Sequence, residues 1–223
     1  MKSILKKIFT ITLIIFFNSF ALATPQIPDN IIYKGEKYEL HYSFPMEGYF
    51  KTHPDKRPSG SSYVSCTALW RGYVATYAIK ENQLYLKDIG IQDGEKSNGR
   101  GVHSTIWKSV MNEVFPNQKL VKINWVTGLF VLPVGKWIYD PLIFGKYENY
   151  IILEIENGIL KREKEFTFEK YEEFKKQQFE AFKETEEYKK EKEKEKRKKF
   201  TDERIDSMIQ FSIIEYSTKM LVE

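Results

Sequence analysis

Strict alternation runs through KYELHYSF, residues 37–44. Tyr38, Leu40, Tyr42 and Phe44 point one way, and Lys37, Glu39, His41 and Ser43 the other. A period of two predicts a strand with one buried and one wet face. The preceding IIYK joins it through Gly35 and Glu36, a two-residue hairpin. A loop rich in Pro, Gly and Ser follows, from Pro45 to Ser61. Then comes the most organised stretch, CTALWRGYVATYAI, with the turn KENQ and the partner strand LYLKDI. Leu69, Arg71, Tyr73, Ala75, Tyr77 and Ile79 project to one side of it, and Trp70, Gly72, Val74, Thr76 and Ala78 to the other. Both sides are largely apolar, which predicts a central strand covered on both faces.

Further strands are predicted at KLVKINWV, LFVL and WIY. YIILEIE and ILKREKEF form the clearest hairpin, because Asn157-Gly158 between them is the favoured type I′ pair. The apolar run VTGLFVLPVGKWIYDPLIF contains Pro133, Lys136, Asp140 and Pro141, so it reads as buried strands and not as a membrane span. One helix is expected within the sheet: Val102, Ile106 and Val110 recur every four residues beside Trp107 and Met111, and Pro116 lies beyond its end.

The pattern changes near Phe166. Gly and Pro vanish, and Phe168, Tyr171, Phe174, Phe179 and Phe182 fall on one side of a helix. That aromatic face gives way after Tyr188 to KKEKEKEKRKK, where Glu186–Lys190, Glu193–Arg197 and Glu195–Lys199 have the spacing of helical ion pairs. Each such pair adds roughly 0.2–0.5 kcal/mol to an exposed helix. The run therefore reads as a solvated rod. A last helix, capped by Thr201 or Asp202, carries the stripe Ile205, Ile209, Ile213, Tyr216 and Met220, which must pack on something.

The resulting fold class is α+β: a mostly β domain over 24–166, an antiparallel barrel or sandwich with one short helix, then a charged extension of two helices over 167–223. Residues 1–23 read as a signal peptide. Lys2, Lys6 and Lys7 precede the apolar run Ile8–Phe17, and Ala21–Ala23 places small residues where a signal peptidase cuts. Cleavage is expected after Ala23, making the protein periplasmic or extracellular, with no transmembrane segment in the mature chain.

Removing that segment changes the charge. The formal +4 includes three lysines and no acid from residues 1–23, so the mature chain carries +1. This gives no support for nucleic-acid binding, which needs a net basic face. Cys66 is the only cysteine, so neither an internal disulfide nor a multi-cysteine metal site can form; a buried thiol is expected, with an intermolecular bridge or a reactive thiol as the alternative. His41, His53 and His103 lack the spacing of a zinc site. The chain has no phosphate-binding glycine loop and no nucleophile elbow. No catalytic residue, metal ligand or cofactor is assigned. Asp88, Glu154 and Glu156 are strand carboxylates whose separation decides whether they could act as a hydrolytic pair.

Arg71, among apolar neighbours on its strand, needs an anion, carbonyls or a ring face. One reading is a structural pair with Glu154 or Asp88. The other is a pocket for an anionic group, walled by Tyr73 and Tyr77.

The segments WRGYVATYAIKENQLYLKDI, FPNQKLVKINWVTGLFVLPVGK and YENYIILEIENGIL resemble an uncharacterised bacterial family of β-rich proteins, with the pattern R-G-Y-x-A-T-x-x-I, L-Y-L-x-D-I, W-x-[ST]-G and P-x-G-K. The resemblance spans about Trp70 to Leu160 and implies one β domain without an established function. The expected role is a non-catalytic exported protein, binding a protein partner or a small anionic ligand and presenting its helices as an arm. An inhibitor or immunity-type protein belongs to this class. The alternative is a secreted hydrolase using strand carboxylates or His103.

Overall fold

A computed structural model describes residues 26–58, 67–97, 103–140 and 145–223. The expected signal peptide and Cys66 lie outside the described residues.

The chain is α+β; among the described residues nine strands form one mixed sheet and the helices lie mostly at the C-terminal end. Strands β1 (Asp29–Tyr33) and β2 (Glu36–Leu40) form the first hairpin, followed by helix α1 (Pro45–Thr52). Strands β3 (Val74–Lys80), β4 (Gln83–Ser97) and β5 (His103–Ser109) come next, then the short helix α2 (Met111–Val114) and β6 (Val121–Lys122). β7 (Gly128–Ile138), β8 (Lys146–Glu156) and β9 (Ile159–Thr167) complete the sheet.

Three hairpin turns use two left-handed residues each, at Lys34-Gly35, Glu81-Asn82 and Asn157-Gly158. This is the backbone that matches strand twist in a type I′ turn. The first turn therefore sits one residue earlier than expected. At Gly158 the requirement is double. Its φ is +77°, and a Cβ there would lie 1.7 Å from the carbonyl oxygen of Ile123.

The sheet order is β2-β1-β3-β4-β9-β8-β7, with β5 and β6 also paired to β4. An isolated bridge between His41 and Val131 links the end of β2 to β7, so the sheet curls into a barrel. β4 meets β9 at only one residue pair, Gln83–Ile159. There the buried Gln83 amide donates to the carbonyls of Leu84, Ile123 and Gly158 at 2.8–3.0 Å, filling a gap in the ladder. The expectation of purely antiparallel pairing is corrected at one place, since β1 runs parallel to β3.

Ile31, Leu40, Tyr77, Leu86, Leu132 and Leu153 fill the barrel, and Met46 and Phe50 of α1 close on the same core. The Pro-rich stretch after Phe44 thus begins with a helix, Pro45 standing at its first turn where its missing N–H costs nothing. Over His103–Ser109 the helix expected around Val102–Val110 is instead strand β5, and Val102 lies outside the described residues. A spacing of four is also an even number, so it fits one face of a strand as well as one face of a helix.

The last strand runs directly into α3 (Phe168–Phe182), α4 (Glu186–Lys196), α5 (Asp202–Phe211) and α6 (Ile213–Tyr216). There are four helices where two were expected. Thr167, Thr185 and Thr201 cap α3, α4 and α5, each accepting from the N–H three residues on. These helices cover the outside of the barrel. Phe174, Phe179, Phe182, Ile205, Ile209 and Ile213 pack with Leu129, Val131 and Ile152 in a second core. The charged α4 folds back on α5: Tyr188 donates to Asp206 at 2.7 Å, and Lys192 and Lys196 pair with Asp206 and Asp202. Along the helices the ion pairs are at three-residue spacing, Glu186–Lys189, Glu191–Lys194 and Glu195–Lys198, and not the predicted four. The C-terminal tail is clamped by Glu154, which accepts from the Met220 N–H at 2.8 Å, and by Gln178, which bonds to Lys219 and Leu221 at 2.8 Å each. No helix among the described residues is long and apolar enough to cross a membrane.

Candidate functional site

Arg71, Tyr73 and Tyr77 are brought together, on the inner side of the barrel wall. Arg71 sits in a turn before β3, where Gly72 takes a φ of +80° and its N–H donates to Leu69. That reversal sends the guanidinium inward, and Arg71 is only 2 % exposed. It packs over the Phe44 ring at 3.7 Å, and its Nη2 donates to the Ile27 carbonyl at 2.7 Å and to Asp29 at 3.4 Å. The structural partner is thus Asp29, and neither Glu154 nor Asp88. The parallel β1–β3 pairing is what places a residue 42 positions away beside it.

Asp29 also accepts from the Ala75 N–H at 2.9 Å and the Tyr77 hydroxyl at 3.1 Å. Burial pushes its carboxyl up to about 6, while the Ala75 N–H and the Arg71 charge hold it down. Tyr73 donates to Glu47 at 2.8 Å, and Glu47 accepts from Arg57 at 2.6 Å. Burial raises both phenols, so both remain protonated donors. The cluster fastens β1 and α1 to β3. Among the described residues Nε and Nη1 of Arg71 have no acceptor, consistent with a guanidinium held flat on a ring.

The other side of β3 is different. Val74 and Thr76 are only half-buried there and form the floor of an open groove of about 300 Å³. Asn30 of β1, Glu39 of β2, Asp88 of β4 and Trp107 of β5 complete its walls. Trp107, 43 % exposed, lies over Gly90, where even a methyl group would touch the ring at 3.5 Å. Asp88 accepts from the Ser109 hydroxyl at 2.5 Å, and Glu39 is 2.9 Å from His41 Nε2. Among the described residues the lining holds two carboxylates and no lysine or arginine.

The three strand carboxylates do not share a site. Asp88 lines the groove, Glu154 is buried against Arg162 and the C-terminal tail, and Glu156 pairs with Lys161 at 3.3 Å. The side chain of His103 lies outside the described residues. Among the described residues no cluster of His, Cys, Asp and Glu could hold a metal ion. Sequence reasoning missed Trp107, which the four-residue spacing assigned to a helix. It missed Glu39 too, which reads as an ordinary solvent-facing strand residue. No family model, no curated protein and no solved structure matches the chain, in keeping with a family that has no established function.

Proposed function

We propose that this is an exported, non-catalytic binding protein whose partner seats a basic side chain on Trp107 between Glu39 and Asp88. Export rests on the basic start, apolar run and Ala21–Ala23 motif of the sequence. The observation that carries the binding reading is the outer face of β3, uncovered among the described residues, an aromatic platform flanked by Asp88 and by Glu39, whose one basic neighbour is His41. An indole face and two acids attract a guanidinium or ammonium group together. An acceptor-rich lining of this kind disfavours an anion in this groove.

The test places a photo-crosslinking side chain at Asn30, on the groove wall, in the exported protein within its native envelope, identifies the captured partner, and measures its binding in purified form. Glu39→Gln with Asp88→Asn should slow association and flatten its salt dependence. Unchanged binding in that variant overturns the reading. A hydrolytic role has one observation in its favour, the two carboxylates in one groove. In that case Asp88→Asn would abolish turnover of a captured substrate while leaving its binding intact.

A further inference from the structure

The C-terminal helices do more than cover the barrel. Between α6 and the end of β2 they leave a second cleft of about 380 Å³. Its walls are Tyr42 and Trp125 from the barrel, and Glu215, Ser217 and Thr218 from the chain end. We propose that this cleft is a binding site for a neutral, polyhydroxylated ligand of sugar size.

One feature points to a ligand, and two more shape the walls that would hold it. Ser217 lines the cleft and is 3 % exposed, and its hydroxyl has no hydrogen-bond partner among the described residues. A buried hydroxyl without a partner is costly, and few native structures keep one without a reason. Tyr42 takes a left-handed φ of +62°, uncommon for a bulky residue, and holds its ring 65 % exposed at the mouth. Trp125 has its indole N–H engaged by the Pro45 carbonyl at 3.2 Å, which fixes the ring in the wall.

The lining chemistry selects the class. Among the described residues no lysine, arginine or histidine lines the cleft, so an anion has no counter-charge there. Glu215 makes no ion pair among the described residues, and partial desolvation by the walls raises its carboxyl, opposed by the Ser212 hydroxyl. That is a strong acceptor for ligand hydroxyls. Ser217, Thr218 and the Tyr42 phenol can donate as well as accept. Flat rings offer apolar faces to the C–H side of a sugar ring. A small number of placed polar groups among aromatic walls is the usual make-up of a small-molecule site. The inference stands independently of the Trp107 groove, since the two share no lining residue.

Calorimetric titration of the intact chain with glucose, N-acetylglucosamine and maltose, against choline and citrate as charged controls, tests it. At least one neutral sugar should bind, and neither charged control should. Ser217→Ala should weaken that binding by about five- to tenfold, the worth of one hydrogen bond. The same variant should melt at or above the wild-type temperature, because it removes an unpartnered hydroxyl. Glu215→Gln should weaken binding too, with the fold kept. Binding of choline in place of the sugars overturns the neutral class. Failure of all probes, or sugar binding that Ser217→Ala leaves unchanged, overturns the site.

Discussion

Strands β3 and β8 read alike in sequence, VATYAI against YIILEI, each apolar on both sides. The structure treats them differently. In β8, Ile151, Leu153 and Ile155 face the barrel core, and Ile152 faces outward beneath the helices. In β3, Ala75 and Tyr77 face inward, but Val74 and Thr76 look onto an open groove. The difference lies in what the rest of the chain supplies. One layer of helices is available, it follows β9 directly, and it covers the neighbouring β7–β8 pair. A β-branched or small residue on a face therefore shows that the face tolerates cover, and not that cover is present.

The largest effect is expected from removing that cover. A chain ending at Thr167 would expose Leu129, Val131 and Ile152 and strip Glu154 of its bond to Met220. Burying one large aliphatic side chain contributes roughly 1.5–3 kcal/mol. Losing three puts the deficit on the order of 5–9 kcal/mol, comparable with the whole stability of a domain. Differential scanning calorimetry should show no cooperative transition. A sharp transition near the full-length temperature would mean that the barrel stands alone and that the comparison between β3 and β8 has no energetic content.

Next comes the inner side of β3. Arg71→Ala strands the buried Asp29 carboxylate, and breaking a buried pair costs roughly 3–5 kcal/mol. Denaturant unfolding measures this directly. A change below about 1 kcal/mol would place Arg71 among ordinary surface substitutions and contradict its burial.

Much of this architecture was legible in the sequence, and the gaps have physical causes. Asn157-Gly158, the strand YELHY up to Leu40, and the Thr201 cap were readable because each depends on neighbours within a few residues. The parallel pairing of β1 with β3 depends on no local signal, and with it Asp29 stayed invisible as the partner of Arg71. β5 was lost because Val102, Ile106 and Val110 satisfy both periods at once. α1 was lost because Pro45 and Gly48 read as loop residues, although a proline suits a helix start. The candidate sites suffered most. Trp107, Glu39 and Ser217 are ordinary residues in the linear chain, and only the tertiary arrangement leaves them at open walls.

A third test uses pH. Asp29 is held at about 6 against an ordinary 3.8. Between those values the folded chain keeps a proton that the unfolded chain has released, so stability falls as pH rises. The contribution is complete below about pH 4 and is lost as pH passes through about 6, and it amounts to something on the order of 2–3 kcal/mol. Other carboxylates are displaced the opposite way, Glu163 among them, held down by its bonds from Lys34 and Tyr33. The informative quantity is thus the difference between the wild type and Asp29→Asn across pH 4 to 7. The variant's stability should lack this falling component, whatever its overall offset. Parallel curves would show that Asp29 titrates normally and that its burial is incomplete.

The smallest effect is the sharpest test of the comparison. Ile152 and Trp107 both lie on the outer side of the sheet, one beneath the helices and one at the groove. Ile152→Ala should cost roughly 2–5 kcal/mol, since it leaves a cavity in a packed core. Trp107→Ala removes a larger side chain, yet its ring is partly solvated and rests on Gly90, so little packing is lost. Its stability change should stay below about 1 kcal/mol. The far-ultraviolet spectrum should be unchanged, while partner association at the groove falls. A large loss of stability in Trp107→Ala would make the ring a structural cover for β3, the counterpart of the helices on β8. In that event the open face would be closed by its own chain, and the binding reading of the groove would fail with it.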